Sequence, residues 1–251
     1  MTLKDPARIL ARLPGWENAR SSLIARGSNN VVWRLRVGSR EAILKLGLAA
    51  REFPLNSRAD EARVQAVAAG AGLAPAVLYV DDEVLLEEYV PGPAWTGKTL
   101  ARPGHLEQLG RTLKRLHALP PTGRRFPLME AALHYYARLP PDADRALAER
   151  CLASLTAVAA PGTPRCCHND VVAGNIMSAP GLVLIDWEYA ADNDAMFDLA
   201  TVVVHHRIGP AGRDRLLSAC FDGAAADYRE RLLDSCKAYR ALAWLWRASR
   251  P

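Results

Sequence analysis

Six side chains in this 251-residue sequence have types and spacings that could do chemistry together. Lys45, one of five lysines, lies in the run EAILKLG, where strand alternation puts Ala42, Leu44 and Leu46 on one face and Ile43 with Lys45 on the other. A lysine there either snorkels at a strand edge or is held by a partner. Glu61 offers one: it lies three residues before Val64 and seven before Ala68, on the inward stripe of the next helix. An inward lysine and an inward glutamate on consecutive elements predict an ion pair, because either alone is costly to bury. The other four residues are His168, Asp170 and Asn175 in CCHNDVVAGNIM, and Asp186 at the end of the apolar run LVLID.

The spacing His168-x-Asp170-x4-Asn175 is that of a kinase catalytic loop. A tight loop of this length can aim the Asp170 carboxylate at a substrate hydroxyl while the Asn175 amide oxygen turns toward a metal. Asn175 is expected to open a strand, NIM, that turns at Pro180-Gly181 and returns through LVLI to Asp186. If that hairpin is centred on the turn, residues 175 and 186 lie opposite each other. Two oxygen ligands would then converge as a hard Mg²⁺ ion requires. The plainer alternative is that these polar residues only cap and brace a loop. The Gly27-Ser28-Asn29-Asn30 loop is either an ordinary hairpin loop or one whose amides cover a phosphate. His117, His134, His205 and His206 have no metal-ligand spacing and read as structural.

These residues need a scaffold, and the chain carries two kinds. Strands are expected at 21–26, 31–37, 41–46, 76–80 and 83–89, after a short helix over 3–13. A helix opened by Ser57, with Asp60 three residues later, sits among them. The segment VPGPAW marks a boundary, dividing the chain into 1–90 and 91–251. Beyond it Leu106, Leu109, Leu113 and Leu116 line one helix face, and further helices are expected near 127–138, 142–159, 195–207, 211–221 and 226–248. The fold class is α+β: an antiparallel sheet with one helix, then a larger, mainly helical lobe.

Composition narrows the setting. The net charge of +5 comes mostly from arginines spread evenly along the chain, so no nucleic acid is expected. The first fifteen residues lack the apolar run of a signal peptide, and AVAAGAGLAPAVLYV is broken by Gly70, Gly72 and Pro75, so no membrane association is expected. Five cysteines without a CxxC argue for a reducing cytoplasm rather than a disulfide framework.

The order of these motifs resembles the aminoglycoside-phosphotransferase and choline-kinase superfamily, and its bacterial choline/ethanolamine kinase branch most closely. The resemblance runs through GSNNVVWRL, AILKLG, GLAPAVLYVDDEVLLEEYVPG, LGRTLKRLHALP, HNDVVAGNIM and IDWEYAADNDAMFDLA. It implies a two-lobed, protein-kinase-like fold that uses ATP and Mg²⁺ to phosphorylate choline, ethanolamine or a similar small cationic alcohol. Thiamine or an aminoglycoside is the alternative acceptor, and a regulatory pseudokinase the alternative of another class. By resemblance, Gly27, Ser28 and Asn30 cover the phosphates and Lys45, braced by Glu61, holds them. Glu87, Glu88 and Tyr89 form the hinge that meets the adenine, with Asp170 as catalytic base and Asn175 and Asp186 as metal ligands. Trp187, Glu188, Tyr189 and Trp246 lie toward the acceptor, and Asp198 and His168 brace the loop. Two departures stand out. Val171 and Ala173 replace a leucine and a proline, and Ala243 stands where a W-x-x-W ending at Trp246 would begin.

Overall fold

A computed structural model describes residues 6–27, 29–48, 57–157 and 163–250. Two compact units emerge from it: residues 1–92 with 183–188, and residues 93–182 with 189–251.

The first unit begins with a single helical turn, α1 (Ala7–Leu10). The expected helix over 3–13 is shorter within the described residues: Pro6 caps it at one end, and after Leu10 the chain goes through residues 11–13 in turns to Pro14-Gly15. Strands β1 (Arg20–Arg26), β2 (Asn30–Val37) and β3 (Arg40–Gly47) follow, then α2 (Arg58–Gly70), β4 (Val77–Val80) and β5 (Val84–Glu88). They form an antiparallel five-stranded sheet in the order β1-β2-β3-β5-β4. The alternation in β3 works as expected. Ala42, Leu44 and Leu46 pack with Leu35, Val84 and Leu86 against Leu10, Leu13 and Trp16 from the N-terminal segment. Lys45, opposite Val32 and Leu85, points to the other face. There α2 supplies Glu61, Val64 and Gln65, all buried. The Ser57 hydroxyl accepts the Asp60 amide 3.1 Å away, which starts α2 where the sequence places it.

The second unit contains α3 (Gly97–Leu100), α4 (His105–His117), α5 (Leu128–Ala137), α6 (Arg145–Ala157), α7 (Ala195–His205), α8 (Pro210–Cys220) and α9 (Ala225–Ala248). Strands β6 (Arg165–Cys167) and β9 (Ala191–Asn193) pair antiparallel, and β7 (Ile176–Ala179) with β8 (Gly181–Leu184) makes the expected hairpin. Asn175 departs from its expected place. It closes a 3₁₀ turn over Ala173–Asn175, and the strand begins at Ile176. The β6–β9 pair was not foreseen, since three residues per strand are too few to show a period.

Helix α9 packs against α5, α6 and α7, while α4 packs against α8 with Leu106, Leu109, Leu113 and Leu116 buried as predicted. The α4–α8 contact depends on Gly110. A Cβ there would lie 2.7 Å from the Ala219 Cβ and 2.8 Å from the Leu216 carbonyl oxygen. No helix among the described residues is long and apolar enough to cross a membrane. Gly110→Ala should therefore destabilise the protein by about 1–3 kcal/mol, as overpacking does, despite alanine's better helix propensity. Urea unfolding checks this, and an unchanged or raised stability would contradict the close contact.

Candidate active site

The first unit buries a cluster of charges around Lys45. Its ammonium lies 3.4 Å from Glu87, 3.5 Å from Asp186 and 3.7 Å from Glu61. The Lys45–Glu61 pair expected from strand and helix periodicity is present. Arg58 donates to Glu61 at 2.6 Å and also to the Asn30 side-chain oxygen, while Gln65 donates to Glu87 at 2.7 Å. Burial works against the charged lysine, but Glu87, Asp186 and Glu61 outweigh it and hold its pKa above the ordinary value. Glu87 shifts upward chiefly because it is buried, with Lys45 opposing.

Val183–Glu188 joins this unit through the Leu184 amide, donated to the Leu73 carbonyl at 2.8 Å. Asp186 has a left-handed backbone, φ 68°, a conformation costly for a non-glycine residue and concentrated at functional sites. Two residues on, the Glu188 carboxylate accepts the Asn29 amide at 3.1 Å and the Asn30 amide at 3.0 Å. Burial and the neighbouring Asp186 charge raise its pKa to about 7. Four carboxyl groups, those of Glu61, Glu87, Asp186 and Glu188, thus share this unit with the two cations Lys45 and Arg58.

The second unit holds the HNDVVAGN loop. Asp198, fully buried in the first turn of α7, accepts the His168 amide at 3.1 Å, the Asn169 amide at 2.7 Å and His117 Nε2 at 2.9 Å. This is the loop brace that the resemblance implied. Asn169 is left-handed at φ 63°; its side chain donates to the Tyr189 and Ala191 carbonyls and accepts from Asn193. Asn175 donates its side-chain N–H groups to both the Asp170 backbone carbonyl and the Asp170 carboxylate, each at 3.0 Å, so neither bond uses its side-chain oxygen.

The remaining expected residues are placed less uniformly. Gly27 closes the β1–β2 turn, donating its amide to the Asn30 carbonyl at 2.8 Å, and Ser28 lies outside the described residues. Glu87, expected in the hinge, turns its side chain to Lys45 and Gln65. Glu88 is exposed and its amide goes to Ala76, while Tyr89 stacks under the Arg34 guanidinium at 4.0 Å. Trp187, expected near the acceptor, is fully buried with its indole N–H donated to the Leu184 carbonyl, so it packs rather than lines a surface. Trp246 carries Arg250 over its face at 3.7 Å. Sequence reasoning missed Arg58, Gln65, Asn29 and Tyr239. Tyr239 packs edge-on against Phe197, and its pKa is pushed up to about 12 by burial and by the charge of Asp170. A lone tyrosine on a long helix gives no periodic signal that could have found it.

Residues 21–234 match the phosphotransferase enzyme family. The chain belongs to it. A thiamine kinase of Escherichia coli O81 (strain ED1a) is 35% identical over 132 residues, 51% of this chain and 46% of that protein. The chain thus spans about half the length of that curated relative. Among solved structures, choline kinase LicA from Streptococcus pneumoniae superposes with a TM-score of 0.80 at 19% identity, covering 96% of this chain and 88% of that one. A LicA complex with AMP gives 0.79 at 19% identity, covering 97% and 88%. This phosphotransferase therefore has the protein-kinase-like fold expected from its motifs.

Lys45→Met should leave buried Glu87 with the neutral Gln65 amide in place of a cation, while Glu61 keeps Arg58, and breaking such a buried pair costs about 3–5 kcal/mol. A buried carboxyl with a raised pKa contributes stability while it keeps its proton and loses it as pH rises through the folded value. The variant's deficit should therefore be larger at about pH 8 than at about pH 5. Urea unfolding of both proteins tests this, and a pH-independent deficit would contradict the pairing.

Proposed function

We propose that this phosphotransferase transfers the γ-phosphoryl group of ATP to the hydroxyl of a small cationic alcohol, choline or ethanolamine first. The observation that carries the reading is the Asp170–Asn175 contact on a loop whose amides are pinned by buried Asp198. Asp170 acts as base: it takes the hydroxyl proton as the acceptor oxygen bonds to phosphorus and the bond to ADP breaks. Lys45 holds the nucleotide phosphates, aided by Gly27, Ser28 and Asn30, and the Glu87–Tyr89 segment meets the base. In this reading the first unit binds nucleotide and the second carries the loop with the base.

Asn175 and Asp186 would hold magnesium, which when bound offsets charge on the phosphates. The carboxylate and amide oxygens of these two residues are hard donors of the kind a divalent cation takes. Five free, buried cysteines support a reducing, cytoplasmic setting. For the acceptor, Glu188 supplies negative charge and Tyr189 and Trp246 aromatic surface. The cation already seated on Trp246 supports that ring as one able to take an ammonium. Thiamine is the second reading, favoured by the likeness to the E. coli thiamine kinase over half of this chain.

Asp170→Asn keeps the side chain's shape but removes the base, so turnover should vanish while ATP binding stays largely intact. ADP release with choline, ethanolamine, thiamine and an aminoglycoside, alongside calorimetric ATP binding, checks this. A variant within a few-fold of wild type would remove Asp170 from the role of base. Trp246→Ala should raise KM for choline about five- to thirtyfold, the equivalent of a cation–π contact of about 1–2 kcal/mol, and leave KM for ATP much less changed. Equal effects on both substrates would give Trp246 a packing role.

A further inference from the structure

Helix α7 touches the catalytic loop twice. Asp198, in its first turn, accepts the amides of His168 and Asn169. At the other end His206, the residue that caps α7, accepts the Ala173 amide on ring nitrogen Nε2 at 3.1 Å. The two acceptors are eight residues apart, about 12 Å along a helix axis. Asp170 lies between the loop positions they hold, so its backbone is gripped on both sides by one rigid element.

The chemistry of the second grip is specific. A backbone N–H needs a lone pair, so Nε2 must be unprotonated and the ring neutral with its proton on Nδ1. Ala173 is buried, and it opens the 3₁₀ turn that ends at Asn175, whose amide reaches the Asp170 carboxylate. An unmet Ala173 amide would therefore disturb the turn that carries Asn175. The surroundings keep the ring neutral: burial first, and then neighbouring His205, lower its pKa to about 4. The rings of His205 and His206 meet edge to face at 4.8 Å.

We propose that His206 is a positioning residue for phosphoryl transfer, its neutral Nε2 fixing the second half of the catalytic loop as Asp198 fixes the first. The proposal rests on the reading of Asp170 as base. It separates His206 from an ordinary surface histidine by the identity of its partner, a backbone amide between Asp170 and Asn175.

Two measurements on the full chain test it. In wild-type protein, ¹⁵N-resolved NMR of the His206 ring at neutral pH should show unprotonated Nε2 and protonated Nδ1, and His206→Leu should move the Ala173 amide proton upfield and speed its exchange. A protonated Nε2, or an Ala173 amide indifferent to the substitution, would overturn the proposal whatever the acceptor is. In kinetics, ADP release is followed with choline, ethanolamine, thiamine or water alone as acceptor. His206→Leu should lower kcat about five- to hundredfold, the cost of a buried amide left without its acceptor, with KM for ATP changed less than about twofold. His206→Gln, whose side-chain oxygen can accept the same N–H, should recover most of the lost kcat. No recovery by glutamine, or KM for ATP rising in step with the loss, would reduce His206 to a packing residue. If Asp170→Asn stays active while the NMR result holds, the base assignment fails and the loop clamp stands.

Discussion

An ammonium group taken out of water has to be matched by carboxylates, and much of the first unit follows from that requirement at Lys45. The lysine needs β3 to turn one face toward α2, and α2 to begin at Ser57 so that Glu61 falls on its inner stripe. It needs β5 in register beside β3, which brings Glu87 alongside, and the Val183–Glu188 segment tied in through Leu73, which brings Asp186. Each carboxylate is in turn held by a neighbour: Arg58 on Glu61, Gln65 on Glu87. A buried pair of this kind adds little net stability, but removing one member is expensive. That asymmetry makes the cluster a device for fixing the position of one cation.

The second unit meets a different constraint, the backbone amides of a loop that belongs to no regular element. Its N–H groups go to Asp198 of α7, to His206 that caps α7, and to its own turn through the Val172 carbonyl. With its donors used in this way the loop can hold Asn169 in a left-handed conformation without fraying. The Asp170 carboxylate then emerges from a backbone with few alternatives, as the role of base proposed for it would require.

Much of this was legible in the sequence where a period or a fixed spacing existed. The β3 alternation and the α2 stripe together foretold the Lys45–Glu61 pair, and the leucines of α4 foretold its buried face. Spacing in HNDVVAGN identified the loop residues. Register was not legible: nothing in the order of residues says that Glu87 stands opposite Ile43 and so comes beside Lys45. Asn175, expected to open the strand NIM, instead closes a 3₁₀ turn over Ala173–Asn175, a turn whose residues carry no breaker except Gly174. Contacts between single residues far apart in the chain were equally hidden. Tyr239 near Asp170, Asn29 on Glu188 and His206 on Ala173 have no local pattern, and they exist only once the helices and turns are assembled.

The function proposed for this phosphotransferase is transfer of a phosphoryl group from ATP to an alcohol. The most direct measurement is ³¹P NMR of the wild-type protein with ATP, magnesium and choline, repeated with ethanolamine and with thiamine. The account predicts a new phosphorylated-acceptor resonance growing in step with ADP for one of these alcohols, and its loss when the magnesium is chelated. Nucleotide binding without any phosphorylated alcohol, or transfer that persists in excess chelator, would contradict it.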